Sequence, residues 1–207
     1  MHVSQSLQTH EELKQITLVQ TQIISPGTSS PSMGIIQDTL IGGYLLTAND
    51  NKIRRYQMNN LMMFAKNFNG KYPEPAGIDE DGQEYWNGKQ LYSLILPDLN
   101  IKENNITIVR GEIVEGFLDK TMLGRDAVGL IKQIYNSYGA EHTKNFFNDT
   151  EKLVTRWMMG NSFSIGFGDC ILTETQREEV KNVIRTNINA AYELIKKAQW
   201  NLYARFG

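Results

Sequence analysis

Residues 106–118 read Ile-Thr-Ile-Val-Arg-Gly-Glu-Ile-Val-Glu-Gly-Phe-Leu, and this stretch decides the β part of the fold. Two apolar runs rich in β-branched residues, 106–109 and 113–118, are separated only by Arg110, Gly111 and Glu112. β-Branched side chains fit a pleated sheet, and a short gap containing glycine is typical of a hairpin turn. The sequence therefore predicts an antiparallel hairpin here.

Helical patterns dominate the part of the chain that follows Gly139. Residues 141–159 have helical periodicity and meet a stop signal at Gly160 and Asn161. A capping box formed by Thr173 and Gln176 then opens a helix of about thirty residues, whose apolar positions keep helical spacing. These positions are Val180, Ile184, Ile188, Ala191, Leu194 and Ala198. A hairpin followed by long helices predicts an α+β fold, with a mixed body and a helical end.

Shorter elements are predicted before the hairpin. Thr9 and Glu12 fit a capping box that opens a first helix. Residues 25–31 contain two prolines and one glycine, which predicts a turn. Residues 33–46 read as a short strand that turns into a helix near Gln37.

Two further helix starts have recognisable caps. Thr47 precedes an apolar pattern that ends before Gly70, so we expect it to cap a helix in that segment. Asn87 and Gln90 form a capping box for a short helix that Pro97 ends.

Composition excludes several classes of protein. The chain has 207 residues, of which 41% are apolar and 21% charged, which excludes collagen-like, disordered and disulfide-framework proteins. The net charge of −2 lacks the basic excess of a domain that holds nucleic acid by itself. A single cysteine fits a reducing compartment, and no apolar run approaches the roughly 18 residues that span a bilayer. We therefore expect a soluble intracellular protein.

Residues 70–83 are rich in proline, glycine and acidic side chains, and we expect an exposed loop. Asp79, Glu80 and Asp81 could suggest the carboxylate pair of a hydrolase. In so polar a loop, a solvated charge run is the simpler interpretation.

The sequence predicts no metal site. His2, His10, His142 and Cys170 are scattered, whereas a metal needs several ligands at workable spacing. A reactive thiolate at Cys170 is disfavoured by the neighbouring Asp169, so we expect a small packed residue there.

Two other groups could meet a phosphate. Gly166, Gly168 and Asp169 resemble a phosphate cradle, but they lack the further glycine or lysine of the known phosphate loops, which favours a structural turn. Lys89, in the first turn of a capped helix, can pair with phosphate as a point charge. The alternative is an ordinary exposed helix residue.

Four stretches of the sequence are distinctive motifs. They are Met1-His2-Val3-Ser4-Gln5-Ser6, Gly34-Ile35-Ile36-Gln37-Asp38-Thr39-Leu40, Trp86-Asn87-Gly88-Lys89-Gln90 and Gly160-Asn161-Ser162-Phe163-Ser164-Ile165-Gly166-Phe167-Gly168-Asp169. In this order they resemble the largest, catalytic subunit of multisubunit DNA-directed RNA polymerase. The second stretch is closer to the eukaryotic and archaeal form than to the bacterial form. Many relatives have a basic, proline-rich approach to the tryptophan, whereas this sequence has Asp79, Glu80, Asp81 and Gln83. The divergence from the family as a whole suggests a distant lineage, and we expect a large DNA virus as the source.

The resemblance implies a domain organisation. Residues 1–22 would end the active-site domain, residues 23–135 would be the pore domain and residues 136–207 the first part of the funnel. The family's catalytic aspartates form an Asp-x-Asp-x-Asp loop, which this sequence lacks. The resemblance thus implies that the complete enzyme is a nucleotidyltransferase, whose Mg²⁺ is held outside this chain. For this chain it implies no catalytic residue, no metal and no cofactor.

The resemblance also implies site residues. Ser25, Gln37, Asp38, Lys89 and Gln90 would line the pore through which nucleotides enter and the RNA 3′ end can back-track. Lys89 would attract phosphate, and the amides would hold the loop geometry.

The implied partners are the other polymerase subunits, especially the second-largest, together with nucleotides, the RNA 3′ end, the DNA template and a transcript-cleavage factor. No membrane partner is implied. The location would be the nucleus, or a cytoplasmic viral factory or virion if the source is viral. The alternative function is a stand-alone, non-catalytic docking module for a cleavage factor or another subunit.

Overall fold

The computed structural model describes residues 3–66, 68–103, 106–126 and 129–206, with side chains as far as residue 200. Met1, His2 and Gly207, at the ends of the predicted domains, lie outside the described residues. The chain divides into two compact units, residues 1–162 and residues 163–207. The predicted boundary between residues 135 and 136 falls within a helix of the first unit, and the domains inferred from the resemblance stay predictions.

The first unit combines helices with short strands. Its helices, among the described residues, are α1 (Leu7–Ile16), α2 (Gln37–Ala48), α3 (Arg55–Met62), α4 (Gly88–Ser93), α5 (Lys120–Leu123) and α6 (Leu130–Met158), with a 3-10 helix at Val19–Gln22. Its strands are β1 (Ile24–Ser25), β2 (Ser30–Pro31), β3 (Ile53–Arg54), β4 (Gly77–Ile78), β5 (Glu84–Trp86), β6 (Ile101–Glu103), β7 (Ile106–Val109) and β8 (Glu112–Gly116).

The strands pair into small antiparallel sheets with the orders β1-β2, β3-β5-β4 and β6-β7-β8. The predicted hairpin at residues 106–118 is confirmed as β7 and β8. Arg110 (φ 51°) and Gly111 (φ 78°) lie between these strands, both in the left-handed region that a two-residue hairpin turn with the twist of a sheet requires. The predicted α+β fold is therefore confirmed.

The core of the first unit lies where α2, α4 and α6 meet the sheets. Its largest fully buried side chains are Tyr92, Phe146, Ile23, Leu46, Met58, Leu91, Ile95, Ile108, Leu118, Leu123, Leu130 and Ile131. Helix α6 changes direction at Gly139, which has non-helical angles (φ 81°, ψ −179°). Its second part is the helix predicted at residues 141–159.

Helix α2 packs directly on α6. A Cβ placed on Gly42 would overlap Val154 Cγ1 and Met158 Sδ, so glycine permits this close approach. Within the same helix, the buried Thr47 Oγ1 donates to the Gly43 carbonyl at 2.8 Å and accepts from the Leu118 amide at 3.0 Å. Thr47 is thus a buried bridge between α2 and the segment after β8, and its predicted role as a helix cap is wrong.

Two other helix and strand predictions require correction. Helix α1 begins one turn earlier than predicted, because Ser6 Oγ accepts from the Thr9 amide at 3.1 Å and serves as the cap. Residues 33–36 do not form the predicted strand. Instead, the Ile35 amide donates to the Leu123 carbonyl at 2.8 Å, so this extended segment is paired with the end of α5.

The second unit consists of a 3-10 helix at Phe167–Cys170 and helix α7 (Glu174–Phe206). The predicted cap of α7 is confirmed: the Thr173 amide donates to Gln176 Oε1 at 3.0 Å, and Thr173 Oγ1 accepts from the Gln176 amide at 3.4 Å. Over the described length of α7 the apolar positions stay exposed, as at Ile184 and Ile188. None of the helices described is long and apolar enough to cross a membrane.

Candidate functional site

The start of helix α4 is fixed by the predicted reciprocal capping box. The Gln90 amide donates to Asn87 Oδ1 at 2.8 Å, and the Asn87 amide donates to Gln90 Oε1 at 3.1 Å. These bonds satisfy amides that the first turn of a helix leaves without a partner. The backbone of Lys89, between them, is therefore held in one conformation.

The same corner is attached to residues 73–74. Gln90 Nε2 donates to the Glu74 carbonyl at 3.0 Å, and Trp86 Nε1 donates to the Pro73 carbonyl at 2.9 Å. The Trp86 side chain is buried in the core. Because Gln90 uses both ends of its amide within the chain, it positions the loop and the helix start.

Gly88 allows α4 to sit against the last turn of α2. A Cβ on residue 88 would overlap the Leu46 carbonyl oxygen and lie 2.8 Å from its carbonyl carbon. Leu46 is fully buried, so this backbone cannot move aside into solvent. The position of Lys89 is thus set by tight packing as well as by the cap.

Lys89 itself is half-buried. Its carbonyl accepts from Ser93 Oγ at 2.7 Å, while its ammonium makes no ion pair with any residue in the part of the chain that the structure describes. A lysine held in this way can meet an external anion as a point charge.

A cleft of about 470 Å³ lies beside Gln90. Ser93 Oγ joins two of its walls, since it accepts from the Ile113 amide at 2.9 Å while donating to α4. The cleft is lined by Asn69, Lys71, Tyr72, Pro73, Gln90, Ser93, Leu94, Leu96, Asp98, Arg110, Gly111, Glu112 and Ile113. Its lining carries two cations and two carboxylates, which leaves no net charge to select an anion.

The other predicted pore residues lie elsewhere in the first unit. Ser25 is half-buried on β1. Gln37 and Asp38 are exposed in the first turn of α2, whereas Lys89 follows the contact at Leu46, about 14 Å further along that helix. Gln37 has a φ of 54°, a left-handed conformation that costs a non-glycine residue about 1 kcal/mol. Among the described residues no hydrogen bond joins these three to Lys89, and their pore-lining role stays a prediction.

The glycine segment of the second unit contains a turn. The Gly166 amide donates to Asp169 Oδ2 at 2.8 Å and opens the 3-10 helix, while Gly168 has open space beside it. Cys170 is exposed, and the predicted packed position is wrong because this short helix buries no residue. In the described ranges, no group of three or more His, Cys, Asp and Glu side chains could hold a metal ion.

The acidic loop at residues 79–84 is mostly exposed, as a solvated charge run would be, but three of its carboxylates are also ion-paired. Lys52 Nζ lies 2.9 Å from Asp79 Oδ1, an Arg54 nitrogen lies 3.0 Å from Asp81 Oδ2, and an Arg55 nitrogen lies 3.6 Å from Glu84 Oε2. The pairing of β3 with β5 brings these distant stretches together. Opposite charge runs at residues 52–55 and 79–84 were the signal that sequence reasoning missed.

The Lys52–Asp79 pair predicts a pH dependence of stability. The hydrogen bond from Lys52 lowers the pKa of Asp79 below 3.8, and the bond to Asp79 raises the pKa of Lys52 above 10.5. The contribution of Asp79 is therefore fully present above pH 3.8 and is lost as the pH falls through its lower folded value. The contribution of Lys52 to stability is present below pH 10.5 and is lost as the pH rises above the raised pKa that Lys52 has in the folded chain.

We expect Asp79→Asn to lower the melting temperature by a small amount at pH 7, since the pair is exposed. The difference in melting temperature between Asp79→Asn and the unsubstituted chain should shrink as the pH is lowered below 3.8. A difference that does not change with pH would contradict the ion pair.

Comparison with known proteins supports the family that the motif at the start of α4 indicated. Residues 22–170 match the family described as RNA polymerase Rpb1, domain 3. The chain belongs to this family. It is also 30% identical over 202 residues to DNA-directed RNA polymerase II subunit RPB1-B of Trypanosoma brucei brucei. The resemblance to the largest polymerase subunit is thereby confirmed.

The Rpb1 match includes every predicted site residue, from Ser25 to Asp169. The alignment with the trypanosome protein covers 91% of this chain but 11% of that relative. The chain thus spans a small part of a largest polymerase subunit.

Proposed function

We propose that this chain forms the pore, and the entrance of the funnel, in a DNA-directed RNA polymerase. Nucleotides would enter along it, and the RNA 3′ end would back-track into it. Membership of the Rpb1 family supports a place in the polymerase. The role in the pore rests on the start of α4.

The observation that carries this proposal is the fixed backbone of Lys89, whose ammonium makes no ion pair among the described residues. The capping box, the bonds to residues 73–74 and the contact of Gly88 with Leu46 hold its backbone. Because this backbone is already ordered, contact with a phosphate would cost only the ordering of the Lys89 side chain.

In the whole polymerase, Lys89→Ala should lower the efficiency of nucleotide use, or weaken binding of back-tracked RNA, by about 1–2 kcal/mol. This is the scale of a charge-assisted hydrogen bond and corresponds to about 5- to 30-fold. Elongation rates at limiting nucleotide and cleavage rates of back-tracked complexes would measure it.

Lys102→Ala is the matched control, because Lys102 is an exposed lysine on β6 that makes no ion pair among the described residues. Lys89→Arg should retain most of the function, since it keeps the charge. Unchanged elongation and cleavage in Lys89→Ala would exclude Lys89 from the pore.

The rest of the function follows from the same proposal. Catalysis would use Mg²⁺ held by aspartates outside this chain, because its sequence contains no Asp-x-Asp-x-Asp loop. The partners would be the second-largest and other subunits, the DNA template and a transcript-cleavage factor. The location would be the nucleus, or a viral factory or virion if the source is a large DNA virus.

A further inference from the structure

Strand β8 is an edge strand of the sheet β6-β7-β8, and helix α4 packs against it. The outward backbone groups of an edge strand need partners from outside the sheet. In β8 the Ile113 amide finds one, because it donates to Ser93 Oγ at 2.9 Å. Among the residues that the structure describes, this is the one hydrogen bond between β8 and α4. The contact of the two elements therefore depends on a single hydroxyl group.

The same hydroxyl is bonded to the backbone of Lys89. Ser93 Oγ donates to the Lys89 carbonyl at 2.7 Å, four residues earlier in the helix. Serine in a helix often donates to a carbonyl at this spacing. A hydroxyl has one proton, so donation to Lys89 leaves the oxygen free to accept from Ile113. One side-chain oxygen thus connects the first turn of α4 with β8.

The β7–β8 hairpin is itself anchored at its tip. The Gly111 amide donates to the Leu99 carbonyl at 2.9 Å, and the Arg110 amide donates to Asn100 Oδ1 at 2.9 Å. Helix α4, in contrast, has only six residues, and a helix of this length depends on its tertiary contacts. The hairpin is therefore a firm base against which a bond can orient α4.

We propose that Ser93 is a positioning residue for Lys89. Its hydroxyl holds the first turn of α4 at a fixed distance from the β7–β8 hairpin, and this distance determines where the Lys89 ammonium can reach. Lys89 is half-buried, so part of its side chain lies against the protein and its rotation compensates only partly for a shift of the backbone. The inference rests on the proposed function of Lys89, and Ser93 is not one of the predicted pore residues.

Amide exchange of the 207-residue chain, followed by NMR, tests the bond itself. In Ser93→Ala the Ile113 amide loses its acceptor, and its exchange should become about 10-fold faster or more. The Gly111 amide is the control, because its bond to the Leu99 carbonyl does not involve Ser93. Unchanged exchange at Ile113 would overturn the proposal, and so would equal acceleration at Gly111, which would show a general loosening of the hairpin.

A double-mutant cycle in the whole polymerase tests the positioning. Ser93→Ala should raise the KM for nucleotide about 3-fold with little change in kcat, and in the Lys89→Ala background it should have almost no further effect, because no ammonium is left to position. Ser93→Thr keeps the hydroxyl and should restore most of the loss. Ser137→Ala is the matched control, since Ser137 is an exposed serine of α6 that makes no hydrogen bond through its side chain among the described residues.

The cycle distinguishes failure of this inference from failure of the proposed function. If Lys89→Ala is impaired while Ser93→Ala is normal, or if the two effects multiply in the double variant, the positioning role is wrong and the role of Lys89 stands. If Lys89→Ala is normal, the proposed function fails and the positioning role fails with it. If the Ser93→Ala polymerase does not assemble, Ser93→Cys takes its place, because a thiol is similar in size and only a weak acceptor.

Discussion

Gly88→Ala should lower the free energy of unfolding of the first unit by about 2 kcal/mol. The new methyl group would overlap the Leu46 carbonyl oxygen, and both backbones are held in place, so the overlap costs about 3 kcal/mol. The higher helix propensity of alanine offsets about 1 kcal/mol of this cost. For a chain of this size the melting temperature should fall by about 4–8 °C.

Gly160→Ala is the control for this change, because a Cβ there would lie 3.7 Å from its nearest neighbour, the Trp157 carbonyl oxygen. Its melting temperature should stay close to that of the unsubstituted chain. In the whole polymerase, Gly88→Ala should also impair the function assigned to Lys89, since α4 must move. A stable Gly88→Ala chain would show that α4 does not rest on α2 as described.

Trp86→Ala should destabilise the first unit more strongly, by about 4 kcal/mol. The change empties a large buried volume and also removes the donor to the Pro73 carbonyl. Urea unfolding followed by circular dichroism would measure it, because the signal does not depend on the tryptophan itself.

Trp86→Phe separates the two contributions. Phenylalanine retains most of the apolar contact but leaves the Pro73 carbonyl without this donor, which should cost about 1–2 kcal/mol. Trp200→Ala, in an exposed part of α7, should change stability by less than about 0.5 kcal/mol. Equal effects of Trp86→Ala and Trp200→Ala would be inconsistent with a buried Trp86.

Local signals in the sequence predicted local structure well. The capping boxes at Asn87 and at Thr173 depend on residues three positions apart, and the β7–β8 turn depends on Arg110 and Gly111, so each can be read from a short window. The predicted start of α1 at Thr9 was wrong because Ser6, one turn earlier, also offers a hydroxyl, and it accepts from the Thr9 amide.

Contacts between distant residues were not predictable in this way. Thr47 accepts from the amide of Leu118, 71 positions away, and nothing in the sequence near Thr47 indicates that partner. The ion pairs of Lys52 and Arg54 span 27 positions and depend on the order β3-β5-β4. The candidate site was thus predicted as a helix start with Lys89, while its attachment to α2 and to residues 73–74 required the structure.

The central claim is that the start of α4 faces RNA in the pore, and cross-linking tests it most directly. A photo-cross-linking amino acid would replace Lys89 in the whole polymerase, with Lys102 replaced in a parallel sample. Back-tracked complexes with labelled RNA should give a cross-link from position 89 to the RNA 3′ segment and none from position 102. Efficient cross-linking of position 89 to protein alone, with no labelled RNA, would contradict the account.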